Sequence, residues 1–254
     1  MAFIEIDGKK VHVVELNPTG SDPVVMIHGL FTSLSLFFFA IASKLAKRRR
    51  VVLYDLRGHG LSEERGEGYT LGILSGDLFA LMDALGIVSA HLAGYSFGGD
   101  VALHAAMSRP CRVRRIALIE TPDMAEPLFA QQPEGYGDGL DAALVMATYS
   151  SPGGIPANKA KADRDRALRR RLFDAGLLQD ALRDGAGAIK AMRMESLRAP
   201  ALLLYGSKSP FLATGRGLAR RIAGSELRVA RGDHNLPVQR DAWVARRLDR
   251  FFGG

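Results

Sequence analysis

His91-Leu92-Ala93-Gly94-Tyr95-Ser96-Phe97-Gly98-Gly99 reads as a short buried strand that runs directly into a glycine-flanked serine. Residues 94–98 match the pattern G-x-S-x-G, and a helical stretch from Gly98 to Ser108 follows, stopped near Pro110. A serine on so sharp a strand-to-helix turn sits in strained backbone, and its neighbours must be small for the chain to fold around it. Gly94, Gly98 and Gly99 supply that room. The turn holds the hydroxyl above the sheet, beside a helix N-terminus that favours developing negative charge. Five matching letters occur often by chance; the same letters between a strand and a helix are much rarer.

Working outward, the strand has neighbours of its own kind. Val24-Val25-Met26-Ile27, Val51-Val52-Leu53-Tyr54 and Ile116-Ala117-Leu118-Ile119 are continuous apolar runs, which suits strands buried on both faces of a parallel sheet. A helix is expected over residues 34–47, and another from an N-cap at Thr70 through Leu85 to a stop at Gly86. Upstream, residues 3–6 and 11–16 flank Asp7-Gly8 as a hairpin. Downstream, a strand over 201–205, a helix over 213–223, a strand over 227–230 and a helix over 241–252 resume the alternation. Between Thr121 and Ser196 it breaks into Pro- and Gly-rich stretches with short helical segments. Strands alternating with helices imply a mostly parallel sheet covered on both faces. Residues 1–120 and 197–254 are therefore expected to form an α/β core, with residues 121–196 as a helical insertion.

Four motifs now stand in order. His28-Gly29-Leu30-Phe31 follows the first buried strand, and Asp55-Leu56-Arg57-Gly58-His59-Gly60-Leu61-Ser62 follows the second. The serine turn is third, and Gly232-Asp233-His234-Asn235-Leu236-Pro237 follows the last strand. Together they resemble the α/β-hydrolase superfamily over essentially the whole chain. The resemblance implies that family's fold, with a helical cap between the sixth and seventh strands, where the irregular insertion lies.

A serine hydroxyl is a poor nucleophile at neutral pH and needs a base to take its proton. Of six histidines, His12, His91 and His104 fall in core elements, His59 belongs to the glycine turn, and for His28 the resemblance implies a loop-shaping role. His234 lies between the last strand and the last helix, where it can reach over the C-terminal edge of the sheet. Ser96 and His234 are therefore the expected nucleophile and base. Oxyanion donors are expected from the backbone N–H of Phe97 and, by resemblance, of Leu30. Phe31 and Tyr95 are expected to contact substrate.

The acid departs from the common pattern. Most members of the superfamily carry it in a G-x-x-D segment after the seventh strand, and here that segment is Gly206-Ser207-Lys208-Ser209. A hydroxyl cannot stabilise an imidazolium by charge. Glu120 ends the sixth strand, in the place that dehalogenase-like members use, and is the expected acid; Asp123 and Asp233 are the alternatives.

Composition bounds the rest. Hydrophobic residues make up 47% of 254, no stretch reaches the roughly 18 uninterrupted apolar residues of a membrane span, and Cys111 is the only cysteine. A cytoplasmic protein is expected, with no metal site and no cofactor, since no Walker or dinucleotide spacing is present. The net charge of +7 gathers at residues 47–50 and 164–171. These clusters are either solvated surface or a landing site for an anionic partner, such as an acyl carrier protein or a coenzyme A thioester. Nucleic acid is disfavoured. The expected activity is hydrolysis of a small-molecule carboxylic ester or thioester through an acyl-enzyme, in secondary metabolism. The alternatives are carbon–carbon bond hydrolysis, cofactor-free cyclisation and a non-catalytic binding protein.

Overall fold

The structure is a computed structural model, and it describes residues 2–63, 68–122 and 193–253. Eight strands form one sheet: β1 (Ala2–Ile6), β2 (Lys9–Leu16), β3 (Val24–Ile27), β4 (Val51–Tyr54), β5 (Ala90–Tyr95), β6 (Val113–Ile119), β7 (Ala201–Gly206) and β8 (Glu226–Ala230). Their order across the sheet is β1-β2-β4-β3-β5-β6-β7-β8. β1 and β2 form the expected antiparallel hairpin, β2 meets β4 antiparallel, and every later pairing is parallel. The sheet is thus mostly parallel.

Alternation along the strands divides the core in two. Val25 and Ile27 of β3 face one apolar layer, which holds Leu74, Leu78, Val101 and Leu218. Val24 and Met26 face the other, with Phe37, Ile41, Val244 and Leu248. Helices α3 (Leu71–Ala84), α4 (Phe97–Ser108) and α5 (Leu212–Arg221) supply the first layer. The second comes from α1 (Ser35–Phe37), α2 (Ser43–Leu45) and α7 (Asp241–Gly253). Since both faces of β3, β4, β5 and β7 are covered, all their residues are buried. That burial explains why those strands read as unbroken apolar runs.

Local signals act where expected. The Thr70 hydroxyl accepts from Ile73 N–H at 3.2 Å and caps α3, and Gly86 follows its end at φ +66°. The helix expected over 34–47 is not continuous: a π-helical turn, Phe38–Ala42, separates α1 from α2. The segment Leu36-Phe37-Phe38-Phe39-Ala40-Ile41 is apolar all round and offers no single stripe to hold a regular 3.6-residue period.

Within the basic cluster at 47–50, two of the four side chains are engaged in ion pairs. Arg49 is buried and pairs with Asp22, and Arg50 pairs with Glu15 and donates to the Leu85 carbonyl at 3.0 Å. Both stand at the N-terminal edge of the parallel strands, away from the serine turn, and tie elements together. Lys47 and Arg48 remain exposed, Arg48 to 74%. The cluster at 164–171 lies outside the described residues, as does nearly all of the proposed cap. The two core segments flanking it build a single sheet, because β6 pairs in parallel with β7, Ile116 opposite Ala201. Among the described residues no helix is long and apolar enough to cross a membrane.

Candidate active site

Ser96 is partly exposed while the residues on either side are buried. Its backbone lies at φ +51° and ψ −127°, outside even the left-handed helical well. Two interactions hold it there: Ser96 N–H donates to the Ile119 carbonyl at 2.8 Å, and Gly99 N–H donates to the Ser96 carbonyl at 2.8 Å. A Cβ on Gly98 would press on the carbonyls of Ile27 and His28, and one on Gly94 on the backbone of Gly98. The turn accordingly packs backbone against backbone where side chains would not fit.

The His28-Gly29 loop lies directly against this turn. A Cβ on Gly29 would stand 3.0 Å from Ser96 Cβ. His28 is fully buried; its Nε2 accepts from Leu56 N–H at 2.9 Å and its Nδ1 donates to the Gly29 carbonyl at 2.8 Å. Burial lowers its pKa below the usual 6.5, which keeps the ring neutral and suited to that bonding pattern. His59 Nε2 accepts from Phe31 N–H at 3.3 Å, and Thr32 N–H donates to Gly29 O at 3.3 Å. Phe97 opens α4, so its N–H precedes the first intrahelical bond. Phe31 itself is buried at φ +61°.

On the far side of Ser96, Glu120 and His234 come together. Glu120 follows β6 at φ +55°, is 0% exposed, and places Oε2 at 3.4 Å from His234 Nδ1. Its Oε1 accepts from Gly206 N–H, and its Oε2 accepts from the Ser209 hydroxyl. His234 is 2% exposed. Its ring lies between Tyr95, stacked at 5.2 Å between centroids, and Phe211, edge-on at 4.9 Å. Tyr95 O–H also donates to the His234 carbonyl at 3.0 Å. Tyr95, expected to contact substrate, thus has its ring and hydroxyl on the histidine, and it carries the imidazole to the residue next to Ser96.

The other acids are placed differently. Asp233 accepts from Asn235 N–H at 2.8 Å and from Gln239 Nε2 at 2.8 Å, which shapes the turn into α6 (Leu236–Gln239). Asp123 lies outside the described residues. Asp55 accepts from Leu34 and Leu61 N–H and contacts His12 Nδ1 at 2.7 Å, so it braces the neighbouring loops. Among the described residues no group of three or more His, Cys, Asp or Glu side chains is arranged to hold a metal ion.

A strained serine, the loop after β3, the start of α4, an imidazole and a buried carboxylate therefore stand at one sheet edge. Such a set can take a proton from a hydroxyl and stabilise an oxyanion. Sequence reading singled out the serine, histidine and glutamate, but missed the supports around the glutamate. Gly206 N–H leaves no trace in side-chain identity, and Ser209 was visible only as a serine where an aspartate is usual.

Residues 22–148 match the family model described as alpha/beta hydrolase fold. The chain belongs to that family. Among its curated relatives, it is 31% identical over 215 residues to the dihydrolipoyllysine-residue acetyltransferase component of the acetoin cleaving system of Pseudomonas putida, covering 82% of this chain and 57% of that protein. It is 31% identical over 163 residues to a 2-hydroxymuconate semialdehyde hydrolase of Pseudomonas sp. (strain CF600), covering 63% and 51%. The chain therefore spans little more than half the length of either relative. Among solved structures, the enol-lactonase of Burkholderia xenovorans LB400 aligns at TM-score 0.71 and 25% identity, over 100% of both chains. This α/β-hydrolase is similar to hydrolases acting on more than one kind of bond.

Proposed function

We propose that this α/β-hydrolase cleaves a carboxylic ester or thioester through an acyl-enzyme on Ser96. The observation that carries the reading is the contact between Glu120 and His234, with His234 stacked on the residue preceding Ser96. His234 takes the Ser96 proton as the oxygen attacks the acyl carbon. The N–H groups of Leu30 and Phe97 receive the carbonyl oxygen as it becomes an oxyanion. Collapse expels the alcohol or thiol, which leaves with the proton held by His234. Water, deprotonated by His234, then attacks the acyl-enzyme and the acid is released. Throughout, Glu120 keeps His234 Nδ1 protonated and oriented and stabilises the imidazolium. A contact of 3.4 Å is at the long end for a hydrogen bond, as is common before substrate binds.

The similarity to the enol-lactonase supports ester chemistry, because a lactone is a cyclic ester. The similarity to the 2-hydroxymuconate semialdehyde hydrolase favours a second reading, hydrolysis of a carbon–carbon bond next to a carbonyl. A carrier-bound or coenzyme A thioester remains the candidate anionic substrate, with residues 164–171 as its docking charges.

Labelling with a fluorophosphonate probe tests the nucleophile. The wild type is expected to label rapidly and Ser96→Ala not at all; a folded wild type that stays unlabelled ends the proposal. Rates on graded acyl esters, thioesters and 2-hydroxymuconate semialdehyde then separate the two bond classes. Added salt slows turnover of the thioester if charge steers it.

A further inference from the structure

Ser209 lies in the loop after β7, and its hydroxyl is turned onto the carboxylate of Glu120. Three of its hydrogen bonds define its geometry. Ser209 N–H donates to the Gly206 carbonyl at 3.1 Å, Ser209 Oγ accepts from Phe211 N–H at 3.1 Å, and Ser209 O–H donates to Glu120 Oε2. Its oxygen accepts from the Phe211 amide, and the hydroxyl proton is donated to Oε2. That is the same oxygen that faces His234 Nδ1. The other oxygen, Oε1, receives Gly206 N–H from the same loop.

A carboxylate free to turn about its last bond would present either oxygen, or neither, to the imidazole. Two donors from residues 206–209 remove that freedom and fix which oxygen meets Nδ1. The loop does more: Phe211, two residues on, stands edge-on against the His234 ring at 4.9 Å. Lys208 N–H joins the Gly232 carbonyl at 2.8 Å, which ties the loop to the histidine's own segment. The donor to the acid, the wall of the base and the anchor of the base loop all come from one short stretch.

We infer that Ser209 is a positioning residue that orients Glu120 towards His234. The inference rests on the proposed roles of Glu120, His234 and Ser96. Position 209 then has a defined function although its side chain carries no charge.

The test uses the full chain, p-nitrophenyl acetate as the turnover probe and a fluorophosphonate to count reactive serine. Ser209→Ala is expected to lower kcat about tenfold with KM unchanged, and Ser209→Thr, which restores a hydroxyl, to recover most of that loss. Ser207→Ala, an exposed neighbour in the same loop, should match the wild type. A Ser209→Ala enzyme with wild-type kcat overturns the inference. So does a folded Ser209→Thr as slow as Ser209→Ala. A wild type that the fluorophosphonate labels while Ser209→Ala behaves normally removes this inference alone; a wild type that is never labelled removes the proposed function with it.

Discussion

Residue 120 combines two features that a sequence cannot display together: a fully buried carboxylate and a backbone φ of +55° on a residue that is neither glycine nor asparagine. Its position after β6 was legible, because the strand is an unbroken apolar run that ends on an acidic residue. Its partners were not, since Gly206, Ser209 and His234 lie 86 to 114 residues away and meet it only through the β6–β7 pairing. Glu120→Gln keeps the volume and removes the charge that would balance an imidazolium. The expected outcome is a loss of about a hundredfold or more in kcat with a melting curve that stays cooperative. Steady-state rates and thermal unfolding on the same preparation check both halves of that statement.

Among the elements, legibility followed burial. β3 and β4 have the bounds that their apolar runs suggest, and α3 starts at the Thr70 cap and ends just before Gly86. The region of α1 and α2 was misread as one helix because an all-apolar stretch contains no phase. Residues 121–196 were unreadable for the opposite reason: clustered Pro and Gly interrupt every period before it repeats. Two glycines make the element-level prediction. Gly98 lies where a Cβ would meet the carbonyls of Ile27 and His28, whereas Gly76 lies in α3 with nothing within 4 Å. Gly98→Ala should cost about 3 kcal/mol, near the upper end for ordinary substitutions, and lower Tm by about 6 to 12 °C. Gly76→Ala should instead gain roughly 0.5–1 kcal/mol from helix propensity. Thermal or denaturant unfolding of the pair checks the contrast, since both changes add the same single methyl group.

Over the whole molecule, titration links the buried histidines to stability. Burial lowers the pKa of His28 and, despite the neighbouring Asp22, of His91 below the usual 6.5. Below about pH 6.5 the unfolded chain takes up protons that the folded chain refuses, so the unfolded state is favoured as pH falls. The contribution is fully present above that pH and is lost as pH drops towards the lowered folded values. Unfolding free energy should therefore decline between pH 7 and pH 5.5, and His28→Asn, though less stable outright, should decline less steeply; equal slopes would exclude His28 as a source.

Of the six non-glycine residues with positive φ among the described residues, Asp7, Asn17 and Asp22 are side chains that tolerate it, whereas Phe31, Ser96 and Glu120 are not. Those three share one rim of the sheet, so the unfavourable torsions of the molecule are concentrated where the reactive groups stand. Each such residue typically carries about 1–3 kcal/mol of conformational tension. Relief is available at the cost of reactivity: Ser96→Gly should melt a few degrees above the wild type while losing its reactive oxygen, an inert protein sturdier than its working parent.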